Sequence, residues 1–174
     1  FIQRYESIYE TPNYTPEVNM PHINKGILNM YNFYPTAEWL EDGISEEAMR
    51  HYNILYSISD NKIIIPHYDV DDNLVGIRGR ALNDEDLVLG KYMPVKIEGK
   101  YYAHPLGYNL YGLNVVKDNI KTYKMAIIAE AEKSCMQSET MFGPDRNIVV
   151  AACGSTIHKY QIDLLIKCGA ERIL

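Results

Sequence analysis

From Met125 to Leu174 the chain alternates apolar runs of strand length with segments of helical spacing, and this alternation leaves few architectures open. Met125 to Ala129 is an apolar run that breaks into Glu130-Ala131-Glu132-Lys133-Ser134. A helix is expected from Ser134 to Phe142, then a turn at Gly143-Pro144-Asp145, then a second apolar run from Ile148 to Cys153. Gly154-Ser155-Thr156 ends that run. Ile157, Tyr160, Leu164, Leu165 and Cys168 recur at roughly helical spacing, and Gly169 stands as the helix cap. Arg172-Ile173-Leu174 open a further strand. Uninterrupted apolar strands alternating with helices predict a parallel sheet covered on both faces.

Ligands of such sheets sit beyond the carboxyl ends of the strands, which directs attention to Glu130 and to Gly154-Ser155-Thr156. A carboxylate just after a buried strand suits a metal ligand or a proton carrier. A solvated helix start stabilised by the macrodipole needs the same residue type, and on spacing alone that reading is favoured.

Upstream, Ile63–Ile65 and Leu74–Ile77 are short apolar runs joined by Asp69-Val70-Asp71-Asp72-Asn73, which predicts a hairpin with an acidic tip. The tip lacks the later glycine and closing glutamate of a calcium loop. On the second strand Arg78 and Arg80 point to one face, with Gly79 between them allowing close approach of a backbone or a phosphate. Two guanidinium forks on one face suit phosphate recognition, or else they pair with nearby acids. Ser45 caps a short helix with Glu46 and Glu47 in its first turn. His51 reads as an ordinary residue at that helix's end. Residues 83–89 read as an acidic loop. Residues 1–37 interleave tyrosines such as Tyr5, Tyr9 and Tyr14 with prolines and read as a strap or linker packed on a neighbouring surface, with base stacking the minority alternative.

Several of these stretches share a resemblance. Ile128-Ala129-Glu130-Ala131-Glu132-Lys133-Ser134 resembles the Val-Glu-Gly-Glu-Lys-Asp type of signature that opens the Toprim fold of bacterial DnaG-type primases, phage helicase-primases and topoisomerases. Ala152-Cys153-Gly154-Ser155-Thr156 resembles the Ser-Leu-Gly-Thr loop of the primases. The segments Lys62 to Tyr68, Leu74 to Arg80, Lys91 to Pro94 and Leu110 to Leu113 look like successive motifs of the primase core, in the same order. The resemblance covers roughly residues 38–174. It implies an α/β fold, with residues 38–116 as an α/β subdomain and 122–174 as part of a Toprim domain.

The activity implied is template-directed synthesis of short RNA primers on single-stranded DNA from nucleoside triphosphates, using Mg²⁺ or Mn²⁺ in two-metal nucleotidyl transfer. Glu130 takes the catalytic, metal-holding role. Arg80 first, then Arg78, Lys91 and Lys133, bind nucleic acid or nucleotide. Gly154, Ser155, Thr156 and His104 supply loop contacts. The family's Asp-x-Asp ligands are expected beyond Leu174, so residues 1–174 alone are expected to be inactive, and a replicative helicase is an expected partner. The chain departs from the pattern at Ala131, where the signature has glycine, at Met93-Pro94, and where a second lysine has only His104 as a stand-in. The shortening at Met93-Pro94 alters the loop geometry, while Ala131 and the missing lysine favour the chief rival to an enzyme, a non-catalytic module that binds nucleic acid or a helicase. A nuclease or topoisomerase of the same fold would not account for the arginine and lysine motifs.

Composition narrows the class further. The chain has 174 residues, 47% of them hydrophobic, and carries a net charge of −6, which argues against broad nonspecific nucleic-acid binding while leaving a local groove open. Cys135, Cys153 and Cys168 form no Cys-x-x-Cys pair, so buried thiols and no zinc are expected. No apolar run approaches the ~20 residues of a membrane span, and the expected location is cytoplasmic, without a membrane partner.

Overall fold

A computed structural model describes residues 19–82 and 90–174; the tyrosines Tyr5, Tyr9 and Tyr14 and the acidic loop at 83–89 lie outside the described residues. A 3₁₀ turn spans Lys25–Met30, where the Asn24 side chain accepts the Gly26 N–H at 2.8 Å. Helices α1 (Ala37–Glu41) and α2 (Glu46–His51) follow, and Ser45 Oγ accepts the Ala48 N–H at 3.2 Å, as its cap position predicts.

Strands β1 (Leu55–Ser57), β2 (Lys62–Tyr68), β3 (Leu74–Ala81) and β4 (Tyr92–Pro94) form an antiparallel sheet in sequence order. The acidic tip between β2 and β3 is organised by its own first residue. Asp69 Oδ1 accepts the N–H groups of Asp71 and Asn73 at 3.0 and 2.9 Å, and Asp72 adopts φ +65. A turn of this kind needs an aspartate for local hydrogen bonding, whatever else the loop does. A two-stranded hairpin, β5 (Lys96–Ile97) and β6 (Lys100–Tyr101), completes this half.

The second half runs α3 (Leu113–Tyr123), β7 (Met125–Ala129), α4 (Glu132–Phe142), β8 (Val149–Ala151), α5 (Lys159–Lys167) and β9 (Arg172–Ile173). Both strand pairings are parallel, in the order β8-β7-β9, with Ala129 beside Ala151 and Met125 beside Arg172. Gly169, at φ +94, ends α5 as its position predicts. The chain is therefore mixed α/β, antiparallel first and parallel afterwards. No helix among the described residues is long and apolar enough to cross a membrane.

One continuous core joins the two halves. Ile63 and Ile65 of β2 pack with Trp39, Ile44 and Met49, and the same cluster includes Met136 of α4 and Val149 of β8. The opposite side of the parallel sheet is covered by Leu113, Val116 and Ile120 of α3 and Leu165 of α5. Both faces are thus buried, which is why β7 and β8 read as unbroken apolar runs. Buried Asn147 pins the junction: its amide donates to Tyr52 Oη at 2.8 Å and to the Cys135 carbonyl at 3.0 Å, and its Oδ1 accepts the Val149 N–H.

The Leu110-Tyr111-Gly112-Leu113 stretch is the covalent bridge between the halves. Tyr111 exchanges two backbone hydrogen bonds with Ala151, at 2.9 and 3.0 Å, and so lengthens the parallel sheet by an antiparallel contact. Gly112 then turns into α3 at φ +81, where an added Cβ would sit 3.0 Å from Tyr52 Cε1. Left-handed strain and crowding act together here, so Gly112→Ala should lower unfolding free energy by about 2 kcal/mol. Urea denaturation tests this, and a change under about 0.5 kcal/mol would show that the turn relaxes freely.

Pro66 stands within β2 opposite Ile77. Ile77 spends its N–H on Tyr102 and its carbonyl on Val95, both away from β2, so Pro66 turns its own backbone to the other edge. There β1 has already ended at Leu55, paired with Ile64, and Asn53 leaves the sheet plane at φ +54.

Candidate functional site

Two carboxylates two residues apart meet opposite environments. Glu130 follows β7 directly, is exposed, and makes no hydrogen bond or ion pair among the described residues. Ala129 pairs with Ala151, so the exposed loop Gly154-Ser155-Thr156 leaves the neighbouring strand on the same carboxyl side. Glu132 opens α4 and is 1% exposed. Its Oε1 accepts from Arg78 Nη1 at 2.6 Å and from His67 Nε2 at 3.2 Å.

Burial alone would raise the Glu132 carboxyl, but the His67 hydrogen bond and the positive charge of Arg78 override it and hold the group down at about 2. Burial pushes His67 below the ordinary histidine range despite the neighbouring Glu132, so it donates as a neutral imidazole. His104 packs on His67 with ring centroids 4.8 Å apart, and burial, reinforced by His67 and Arg78, lowers it to about 3. Gly76 allows this approach, since a Cβ there would overlap the His104 ring. His104 therefore faces inward.

The cations expected to face a ligand are mostly engaged with acids. Arg78 meets Glu132, Arg80 pairs with Glu38, and Lys133 pairs with Asp42. Both arginines also stand over the Tyr92 ring, at 5.6 and 5.5 Å from its centroid, which confirms their shared face. Tyr92 is pushed up to about 12, first by burial, and stays a phenol. Lys91, the residue before it, is exposed. The structure thus brings Arg78, Arg80 and Tyr92 together and carries Arg78 to the helix that follows Glu130.

Sequence reasoning singled out neither His67 nor Glu132 as site residues, and it took His104 for a loop contact, whereas the ring packs inward on His67. The signal for His67 was present: a histidine inside Ile63-Ile64-Ile65-Pro66-His67 is a polar residue in a run that must be buried. The group of His67, Glu132 and His104 gives stability a definite dependence on pH. Unfolding lets His104 take up a proton below about 6.5 that the folded ring refuses until about 3, so stability falls as pH drops through that window. Glu132 acts in the same direction between 4.5 and about 2. From pH 7 to 4.5 the His104 contribution should be about 2 kcal/mol after discounting for partial exposure, a Tm fall of roughly 4–8 °C. Thermal melts should show it, with the slope flattened in His104→Gln; equal Tm values at the two pH values would refute it.

No family model matches the chain. Over 159 residues it is 34% identical to the SPbeta prophage-derived uncharacterized protein YorJ of Bacillus subtilis, covering 90% of this chain and 42% of that protein. Over 142 residues it is 31% identical to a DNA primase of Clostridium acetobutylicum, covering 81% of this chain and 22% of that protein. The chain therefore spans less than half the length of either relative. Among solved structures it is similar to the Aquifex aeolicus primase (zinc-binding and RNA polymerase domains), with TM-score 0.69 and 19% identity, over 86% of this chain and 45% of that one. It is also similar to a DnaG primase catalytic domain bound to single-stranded DNA, with TM-score 0.61 and 18% identity, over 85% of this chain and 57% of that one.

Proposed function

We propose that this chain, which has the fold of a DnaG-type primase catalytic core, acts in template-directed primer synthesis on single-stranded DNA, gripping the template and supplying the first metal carboxylate. The observation that carries the proposal is Glu130: an exposed carboxylate, without a partner among the described residues, at the carboxyl end of the central parallel strand, where such sheets bind ligands. A single exposed hard-oxygen donor fits Mg²⁺ or Mn²⁺, which take their remaining oxygens from water, substrate phosphates and further carboxylates. When bound, the ions would activate the attacking hydroxyl and neutralise the triphosphate.

The remaining work falls to the chain's own side chains. Arg78 and Arg80, each fixed by an acid, hold the Tyr92 ring in place and thereby set the start of the strand that Lys91 immediately precedes. Lys91 holds a template or nucleotide phosphate. The Gly154-Ser155-Thr156 loop offers backbone and hydroxyl donors to the same side of the sheet.

A non-catalytic binding module is the second reading, favoured by Ala131 and by the engagement of Arg78, Arg80 and Lys133 with acids. Primer synthesis from nucleoside triphosphates on single-stranded DNA, in the protein that carries these residues, separates the two: binding without synthesis supports the module. In either case Lys91→Ala should weaken single-stranded DNA binding and reduce the slope of log affinity against log salt by about 0.7, one phosphate contact. Fluorescence anisotropy across a salt series reads this slope, and an unchanged slope removes Lys91 from the interface.

A further inference from the structure

Outside the Glu130 position, one cluster of metal-binding donors is built across the two halves of the fold. A ring nitrogen of His67, a Glu132 carboxylate oxygen and Cys153 Sγ lie within 4.8 Å of one another. His67 comes from the middle of the antiparallel sheet, Glu132 from the first turn of α4, and Cys153 from the loop that follows β8. A further imidazole stands beside His67: the His104 ring centroid is 4.8 Å from that of His67, and its Nε2 is buried without a hydrogen-bond partner among the described residues. Cys153 itself adopts φ +57, a conformation uncommon for a non-glycine residue, just before the exposed loop that gives solvent a path to the group.

We propose that His67, Glu132 and Cys153, with His104 as the fourth donor, form a site for a borderline-soft divalent cation of the zinc type, distinct from the hard-oxygen position at Glu130. The donor chemistry selects the ion. Imidazole and thiolate favour zinc-like metals, whereas magnesium demands an oxygen shell that two histidines and a cysteine do not offer. Tetrahedral zinc with bonds of about 2.0–2.3 Å needs donors roughly 3.3–3.8 Å apart, so the cluster closes with a contraction of about 1 Å. Both imidazoles are held neutral by burial; His104 Nε2 has no hydrogen-bond partner among the described residues, and at His67 the metal would replace the Nε2 proton now donated to Glu132, the ring keeping its one proton on Nδ1.

Arg78 does not block the ion. It shares Oε1 of Glu132 with His67, so the ion would take the carboxylate through Oε2, with Arg78 as an outer partner that orients it. Binding converts the Cys153 thiol to thiolate and releases its proton to solvent. Burial beside Glu132 makes that ionisation costly without a cation, and the ion supplies the compensating charge. The bound metal would clamp the antiparallel sheet to α4 and to the loop that carries Gly154-Ser155-Thr156.

The test uses chain 1–174, stripped with chelator and titrated with Zn²⁺ and separately with Co²⁺ as the spectroscopic probe. One equivalent of Zn²⁺ should bind in the presence of excess Mg²⁺ and raise Tm. Co²⁺ should give a near-ultraviolet sulfur-to-metal charge-transfer band that disappears in Cys153→Ser and persists in Cys168→Ser. His104→Gln, at a partly exposed position, should keep the band while weakening Zn²⁺ affinity about tenfold or more. No Zn²⁺ binding below about 100 μM, a band that survives Cys153→Ser, or displacement by Mg²⁺ would overturn the proposal. Because no readout involves nucleic acid or primer synthesis, failure here leaves the proposed function untouched, and the reverse also holds.

Discussion

Glu132→Ala should destabilise the chain by about 3–5 kcal/mol, enough to unfold much of the population near 37 °C. The cost lies mainly in what is left behind. Removing the carboxylate strands the Arg78 guanidinium, whose side chain is only 14% exposed, and takes the acceptor from the neutral His67, which is 1% exposed. An uncompensated buried charge costs more than the intact pair contributes, because the pair's attraction is largely offset by the desolvation of both partners. A double variant, Glu132→Gln with Arg78→Met, should therefore be more stable than Glu132→Ala alone. Urea denaturation of the unchanged protein, Glu132→Gln, Arg78→Met and their combination measures the coupling, and additive losses would show that Arg78 finds solvent or another acid instead.

Glu130→Gln is expected to behave in the opposite way. The side chain is exposed and has no partner among the described residues, so Tm should change by less than about 2 °C. Primer synthesis in the protein that carries these residues should fall by about 10²–10³-fold or more, since one neutral amide replaces the charged oxygen that binds the divalent ion. Single-stranded DNA affinity measured without divalent metal should stay within about twofold. The contrast between the two variants is the sharpest check on the site, because the residues stand two apart in one short stretch and differ in burial rather than in chemistry. Full synthesis by Glu130→Gln would favour the binding-module reading or another metal ligand.

Most of the architecture was legible because it rests on local rules. Strand run 125–129, the cap at Ser45 and the stop at Gly169 each depend on residues within a few positions and form where expected, while the run expected at 148–153 is shortened to Val149–Ala151, with Cys153 turned out of the strand at φ +57. The mixed α/β class followed from the change in periodicity between the two halves. The site was less legible, because its partnerships are long-range. Glu132 reads locally as an acid in the first turn of a solvated helix; what buries it is His67, 65 positions earlier, and Arg78, 54 positions earlier. Arg80 likewise finds Glu38 across 42 positions. Spacing placed both arginines on one face, but spacing carries no information about which acid the fold would bring there. Asn147 and Gln161 were passed over for a related reason: each is a polar residue completely buried, with hydrogen bonds to backbone segments that are remote in sequence.

A sheet edge with free amide donors is an invitation to other chains, and the edge of β2 beyond the end of β1 would be one. Pro66 occupies the point where the strand turns its backbone toward that edge, and proline has no N–H to offer. An incoming strand from a second molecule would find no donor at the position that should begin its register, and Asn53, turned away in a left-handed conformation with its side-chain amide on Tyr68 Oη, leaves no extended neighbour to copy. The side chains that most need burial, Ile63 to Ile65, therefore sit in a strand that is protected against polymerising at the one stretch where its partner runs out.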